Sequence, residues 1–240
     1  MECYLALTAA EVKGCHQLPE RMAWMACHFS PYATGLSNLP EQLPPGSILI
    51  LNDRTPIHGH DPVGIAQALQ TATQDLSLYG ILLDFQTRNC PELQELTDHL
   101  TQVLPCPVAV TEEYARERDC IVFLSPPPVN MPLQDHLAPW KGRTLWLEAA
   151  MLTQQFTVTK DGCQVQTLSA PPGSLPLADK ALHCHYAIQK TDRAMVFTMT
   201  RTEDDLIAHL QEAEHLGVQA AVGLYQELGN IKFQAEQSRS

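Results

Sequence analysis

Short apolar runs of strand length, separated by amphipathic helical segments, constrain the fold of this chain more than any other feature. The first six runs span residues 3–8, 22–28, 48–52, 80–85, 108–110 and 120–124. Each has the length of a strand buried inside a domain, and each is too short for a helix. The pattern therefore favours strands that are covered on both faces, as in a parallel sheet.

The segments between the runs carry clear helix signals. Asp61 and Pro62 open one segment with an N-cap residue and a proline at the first helical position. Residues 90–104 begin in the same way and place four leucines along one face. A third helix is predicted over 202–217, with Thr202 as its cap and Gly217 as its end.

The last part of the chain repeats the same unit. Residues 194–200 read as a strand, 202–217 as a helix and 218–225 as another strand. Strand, helix, strand is the unit of a parallel sheet with crossover helices. Counting residues 194–200 as the seventh strand gives eight in all, so we predict an α/β fold, a somewhat degenerate TIM-type (β/α)8 barrel.

The middle of the chain is less regular. Asp161 and Gly162 stand between alternating strands and predict a hairpin. We interpret residues 126–180, including the run at 144–151, as an insertion within a single barrel domain of residues 1–240, because this segment lacks the apolar mass for a core of its own.

Composition narrows the classes of partner. The net charge of −12 and the lack of clustered Lys and Arg argue against nucleic acid, and they disfavour acidic substrates. A neutral small molecule or saccharide fits best. The opening residues 1–12 show neither a signal peptide nor a membrane span, and the eight scattered cysteines suit buried thiols in a cytoplasmic protein. We expect no cofactor.

In a parallel barrel, the loops after the strands form the functional face. The polar residues that follow the predicted strands are His28, Ser30, Tyr32, Asn52, Asp53, Asp84, Gln86, Glu112, Glu113, Ser125, Thr200, Arg201, Tyr225 and Glu227. In the run at 80–86, alternation places Leu82, Asp84 and Gln86 on one face, with like-facing neighbours ~7 Å apart. We expect this face to point into the barrel.

The stretch YGILLDFQ, residues 79–86, resembles the fourth strand of the chitinase-like (family 18-type) glycoside hydrolases, whose motif usually appears as D-G-I-D-I-D-W-E. Gly80 and Ile81 match, Asp84 falls on the last aspartate, and Gln86 occupies the place of the catalytic glutamate. The resemblance implies a barrel that binds a sugar, with Asp84 orienting the acetamido group. An amide has no proton to give, so Gln86 could bind a sugar but not act as the acid.

Three functions stay open. The first is a saccharide-binding barrel that has lost the family's acid, with Asn52, Gln86, Tyr32 and Tyr225 as ligand-binding residues. The second is an active glycosidase in which Glu112 or Glu113 acts as the acid with the assistance of Asp84.

The third is a metal-dependent hydrolase that uses the histidine pairs at 58 and 60 and at 183 and 185. We favour ordinary polar histidines there, and we assign no metal ligands. Tryptophan and tyrosine side chains could stack on a sugar ring, or they could belong to the core.

Overall fold

A computed structural model of the chain describes residues 1–31, 35–57, 59–115 and 119–231. The strands, in chain order, are β1 (Glu2–Leu7), β2 (Met22–Phe29), β3 (Leu36–Ser37), β4 (Ile48–Asn52), β5 (Gly80–Asp84), β6 (Val108–Thr111), β7 (Ile121–Leu124), β8 (Leu145–Ala149), β9 (Thr153–Thr159), β10 (Gly162–Leu168), β11 (Leu177–Asp179), β12 (Cys184–Lys190), β13 (Met195–Thr200) and β14 (Ala220–Leu224).

The helices are α1 (Ala9–Gly14), α2 (Pro62–Asp75), α3 (Pro91–Val103), α4 (Glu112–Ala115), α5 (Leu133–Leu137), α6 (Glu203–His215) and α7 (Tyr225–Leu228), with a 3-10 turn at Ala138–Trp140. Across the described ranges, no helix combines the length and apolar character needed to cross a membrane.

Eight parallel strands form a closed barrel. Their order is β1, β14, β8, β7, β6, β5, β4, β2, and pairing between β1 and β2 closes the ring. The short β3 pairs with β2 in the antiparallel sense. Helices lie between most successive barrel strands, as α2 does between β4 and β5, whereas β3 stands between β2 and β4. The structure therefore confirms the predicted TIM-type (β/α)8 fold.

The local helix signals operate as predicted. The side chain of Asp61 accepts a hydrogen bond from the backbone N–H of Val63 at 3.0 Å and caps α2. Thr202 and Asp205 form a reciprocal capping box at the start of α6. Gly217, with φ +92°, takes the left-handed conformation after that helix.

The core has two layers, inside and outside the barrel. Leu82 belongs to the inner layer, whereas Ile81, Leu83 and Phe85 pack in the layer between the barrel and the helices. This confirms the predicted alternation and places Asp84 on the inward face of β5. The inner layer fills the lower part of the barrel, so a ligand can meet only the inward residues near the carboxyl ends of the strands.

The chain between β8 and α6 forms a second, antiparallel sheet, in which the strand order is β10, β9, β13, β12, β11. The predicted hairpin forms its β9–β10 pair. This sheet also corrects one prediction. Residues 194–200, which form β13, are not the seventh barrel strand, because β13 pairs with β9 and β12. The seventh barrel strand is β8, from the run at 144–151 that we assigned to the insertion.

Thr200 and Arg201 accordingly follow a strand of the second sheet and not a barrel strand. Thr200 shares a hydrogen bond of 2.7 Å with the hydroxyl of Thr153 in the second sheet. Arg201 is buried and donates from Nη1 to the carbonyl of Pro127. We propose that the second sheet is an insertion within one barrel domain, although Val129, Phe156 and Met199 give it a small buried cluster of its own.

Candidate functional site at the barrel mouth

A cavity with a volume of about 810 Å³ opens at the carboxyl ends of the barrel strands. Such a volume lies within the usual range for small-molecule sites, roughly 300–1,000 Å³. Its apolar wall includes Met25, Ile50, Leu82, Phe123 and Val222. Its polar side chains include His28, Asn52, Asp53, Asp84, Gln86 and Glu148. The mixture of an apolar wall and a few convergent polar groups is typical of a ligand site.

Asp84 and Gln86 form a pair on one wall of the cavity. Nε2 of Gln86 donates a hydrogen bond of 2.6 Å to Oδ1 of Asp84. Burial raises the pKa of Asp84, the hydrogen bond from Gln86 opposes that rise, and the charge of Asp53 adds to it. The amide therefore acts as a fixed donor to the carboxylate, a role that a second ionised carboxylate at position 86 could not fill.

Asp53 holds the loop that carries Gln86. Its two carboxylate oxygens accept hydrogen bonds from the backbone N–H groups of Gln86 at 2.9 Å and Thr87 at 2.7 Å. Carboxylate to backbone N–H bonds are among the stronger hydrogen bonds in proteins. The end of β4 thereby fixes the position of the loop after β5.

Asn52 lines the cavity, but its side-chain amide is hydrogen-bonded to the backbone of the barrel. Its Nδ2 donates to the carbonyl oxygens of Met25 at 3.1 Å and Cys27 at 2.9 Å, where the pairing of β2 with β4 shifts register. Its Oδ1 accepts from the backbone N–H of Arg54. Both amide protons are thus used, and a ligand can meet only the remaining capacity of Oδ1.

His28 is also held in the cavity wall by contacts of both ring nitrogens. Its Nδ1 lies 2.7 Å from the carbonyl oxygen of Phe29, which can only accept, so Nδ1 carries a proton. Its Nε2 lies 3.1 Å from Nδ2 of Asn38, and in the neutral ring it accepts from that amide. This side chain therefore supports the shape of the mouth.

Glu148 is the residue that the sequence analysis missed. It is the last but one residue of β8 and shares the inward face of that strand with Trp146. Burial raises the pKa of Glu148 to about 7, and the charges of Asp84 and Glu227 contribute to the rise. The signal was present in the sequence, as a carboxyl at an inward position of an apolar run, but that run was assigned to the insertion.

The structure does not bring all the predicted residues together. Glu112 and Glu113 form the first turn of α4 and are not part of the cavity wall. Tyr225 begins α7, also outside the wall, where contact with Cys15 raises the pKa of its phenol. Tyr32 lies outside the described residues. Among the described Phe, Trp and Tyr residues, Phe123 lines the cavity.

The paired histidines have partners of their own. Nε2 of His183 lies 2.8 Å from Glu212, and Nδ1 of His185 lies 2.7 Å from Asp205. His60 faces the carbonyl oxygens of Ile57 and Ser30, and position 58 lies outside the described residues. Within the described ranges, no group of three or more His, Cys, Asp or Glu is placed to hold a metal ion.

No protein-family model matches the chain, and no curated protein does. Solved structures match it in fold. A family 18 chitinase mutant from Cycas revoluta, in complex with (GlcNAc)4, matches with a TM-score of 0.56 at 11% identity, over 93% of this chain and 94% of that one. The spore cortex-lytic enzyme SleL from Bacillus cereus matches with a TM-score of 0.55 at 9% identity, over 97% and 71%.

A chitinase-like agglutinin from Robinia pseudoacacia matches with a TM-score of 0.53 at 11% identity, over 92% of this chain and 93% of that one. Identities this low concern the fold alone. The likeness agrees with the resemblance of residues 79–86, which lie on β5 and the loop that follows it. The chain therefore has the TIM-barrel fold of the family 18 glycoside hydrolases.

Proposed function

We propose that the barrel mouth binds a saccharide, and that Gln86 takes part in binding and not in proton transfer. The observation that carries this proposal is the pair of Asp84 and Gln86, held at 2.6 Å on the inward side of an 810 Å³ cavity. Sugar hydroxyl and amide groups donate hydrogen bonds that a carboxylate accepts well. The wall that includes Phe123 offers an apolar surface to the ring.

The charges in the cavity restrict the ligand. Asp53, Asp84 and Glu148 line it together with Arg54. A ligand that carried a negative charge would meet like charges there, in a chain whose net charge is −12. We therefore infer a ligand without negative charge. The (GlcNAc)4 that occupies the Cycas revoluta chitinase mutant is a neutral probe of this kind.

The cysteines support a proposed location. All eight are free thiols, and those at 27 and 184 are buried. Free thiols persist in reducing compartments, so we propose that the protein resides in the cytoplasm.

Calorimetric titration with (GlcNAc)4, and with cello-, xylo- and maltotetraose, tests the binding proposal. We expect at least one of these sugars to bind. Asp84→Ala should weaken its affinity by roughly 10- to 100-fold, since a hydrogen bond to a charged group is worth about 1.5–3 kcal/mol. Asp84→Asn keeps the shape of the side chain and removes its charge, so this variant measures how much of the loss of affinity is due to the charge.

Asp75→Ala is the matched control, because Asp75 is an exposed residue at the end of α2. Its affinity should equal that of the wild type. Failure of all four sugars to bind, or an Asp84→Ala variant that binds as tightly as the control, would contradict the proposal.

A further inference from the structure

Two carboxyl groups enter the cavity from different strands of the barrel. Asp84 ends β5, and Glu148 lies one residue before the end of β8. The strands β6 and β7 stand between them in the ring. Both side chains point inward, both line the same cavity, and the charge of Asp84 acts on Glu148. A ligand in the mouth would therefore meet one carboxyl on each of two walls.

The surroundings treat these two groups differently. Gln86 donates directly to Asp84, and this hydrogen bond favours the ionised form. No side-chain hydrogen bond to Glu148 occurs among the residues that the structure describes, and burial together with the charges of Asp84 and Glu227 raises its pKa to about 7. The hydrogen bond from Gln86 thus favours a proton on Glu148 over a proton on Asp84. Burial raises the pKa of Asp84 as well, but among the described residues Asp84 is the one of the two with a hydrogen-bond donor that opposes the rise. Such a difference in surroundings is the usual basis for dividing acid and base roles.

We propose, on the basis of the saccharide-binding function above, that Glu148 is the proton donor of a glycosidase site in which Asp84 is the base. The carboxyl of Glu148 gives its proton to the glycosidic oxygen as the bond between that oxygen and C1 breaks, and the bonding electron pair leaves with the oxygen. Asp84 takes a proton from a water molecule, whose oxygen forms the new bond to C1.

The step consumes one water and leaves Glu148 ionised and Asp84 protonated. Exchange with solvent returns both groups to their starting states. Two carboxyls that flank the scissile bond are the general arrangement of glycosidases, and direct attack of the water on C1, as in this step, inverts the configuration at that carbon. In this arrangement the acid lies on β8, and Gln86 serves the site by keeping Asp84 ionised.

The test compares cleavage with binding in the full-length protein. Chromatography follows hydrolysis of whichever tetrasaccharide binds by calorimetry, for the wild type, Glu148→Gln and Glu95→Gln. Glu95 is an exposed residue of α3 and provides a matched Glu-to-Gln control. We expect Glu148→Gln to bind as the wild type does and to cleave about 100- to 10,000-fold more slowly, the usual effect of losing a general acid.

A second substrate separates proton donation from a general structural role. A 2,4-dinitrophenyl glycoside of the same sugar releases a phenolate that needs no proton, so Glu148→Gln should slow its cleavage far less. In the wild type, kcat/KM for the tetrasaccharide should fall as the pH rises through about 7, where Glu148 ionises. Proton NMR of the first product should show inversion at C1.

Each outcome decides one point. A tetrasaccharide that binds and is not cleaved by the wild type overturns this inference and leaves the binding proposal standing. Cleavage by Glu148→Gln at the wild-type rate, or an equal loss on both substrates, also overturns it. If no tetrasaccharide binds, the proposed function fails and the inference fails with it.

Discussion

Replacing Glu148 with glutamine should make the protein more stable at alkaline pH, whatever the mouth binds. The pKa of Glu148 is about 7 in the folded protein, against an ordinary value of 4.5. Each pKa unit corresponds to about 1.4 kcal/mol of differential interaction. Ionising this one side chain therefore costs the fold up to about 3 kcal/mol.

The sign of the pH dependence follows from the raised pKa. Between pH 4.5 and about 7 the folded state holds a proton on Glu148 that the unfolded chain has lost. The unfolded state binds fewer protons there, so the free energy of unfolding falls as the pH rises. Below pH 4.5 both states are protonated and there is no penalty, and above about 7 the full penalty applies. Glutamine has the same shape and does not ionise.

Urea unfolding at pH 4.5 and pH 8, followed by tryptophan fluorescence, measures the effect. We expect Glu148→Gln to match the wild type at pH 4.5 and to exceed it by about 1–3 kcal/mol at pH 8, since water in the open cavity reduces the full penalty. Glu95→Gln should show no such difference. A Glu148→Gln variant whose stability relative to the wild type is the same at both pH values would refute the reasoning.

Two further substitutions test the geometry of the strand β5. Gly80→Ala should lower the free energy of unfolding by about 1–3 kcal/mol, because the new Cβ would lie 2.8 Å from the carbonyl oxygen of Pro107. Gly14→Ala is the control, because the space around Gly14 is open. If Gly80→Ala is as stable as Gly14→Ala, the close packing at Gly80 is contradicted. Gln86→Glu should destabilise the protein by about 1 kcal/mol at pH 8 and by less at pH 5, because it places a second carboxylate beside Asp84. Urea unfolding measures the effect, and a loss of stability that is the same at both pH values would argue against this contact.

The parts of the site that the sequence predicted are those governed by local rules. Asp84 faces inward because side chains alternate along a strand, and the neighbours of Asp84 in the run at 80–85 are apolar on both sides. The caps at Asp61 and Thr202 act within three residues of their own position. Interactions of such short range can be read directly from residue order.

The parts that the sequence analysis missed depend on strand pairing. β13 and β8 are both short apolar runs, and the residues of either run do not indicate whether the strand that pairs with it is parallel or antiparallel. The assignment of residues 194–200 to the barrel removed β8 from it, and Glu148 was lost from the site with that strand. Tyr225, Glu112 and Glu113 follow barrel strands as predicted, but they begin short helices outside the cavity wall.

The sequence by itself determined that the chain builds a barrel of alternating strands and helices, and that Asp84 and Gln86 stand at its mouth. Only the tertiary structure decided which eight strands close the ring, and hence that Glu148 shares a cavity with Asp84. The physical reason is the range of the interactions. Side-chain alternation and helix capping act over a few residues, whereas closure of the ring and the pKa of Glu148 depend on groups that the fold brings together from 64 positions apart in the chain.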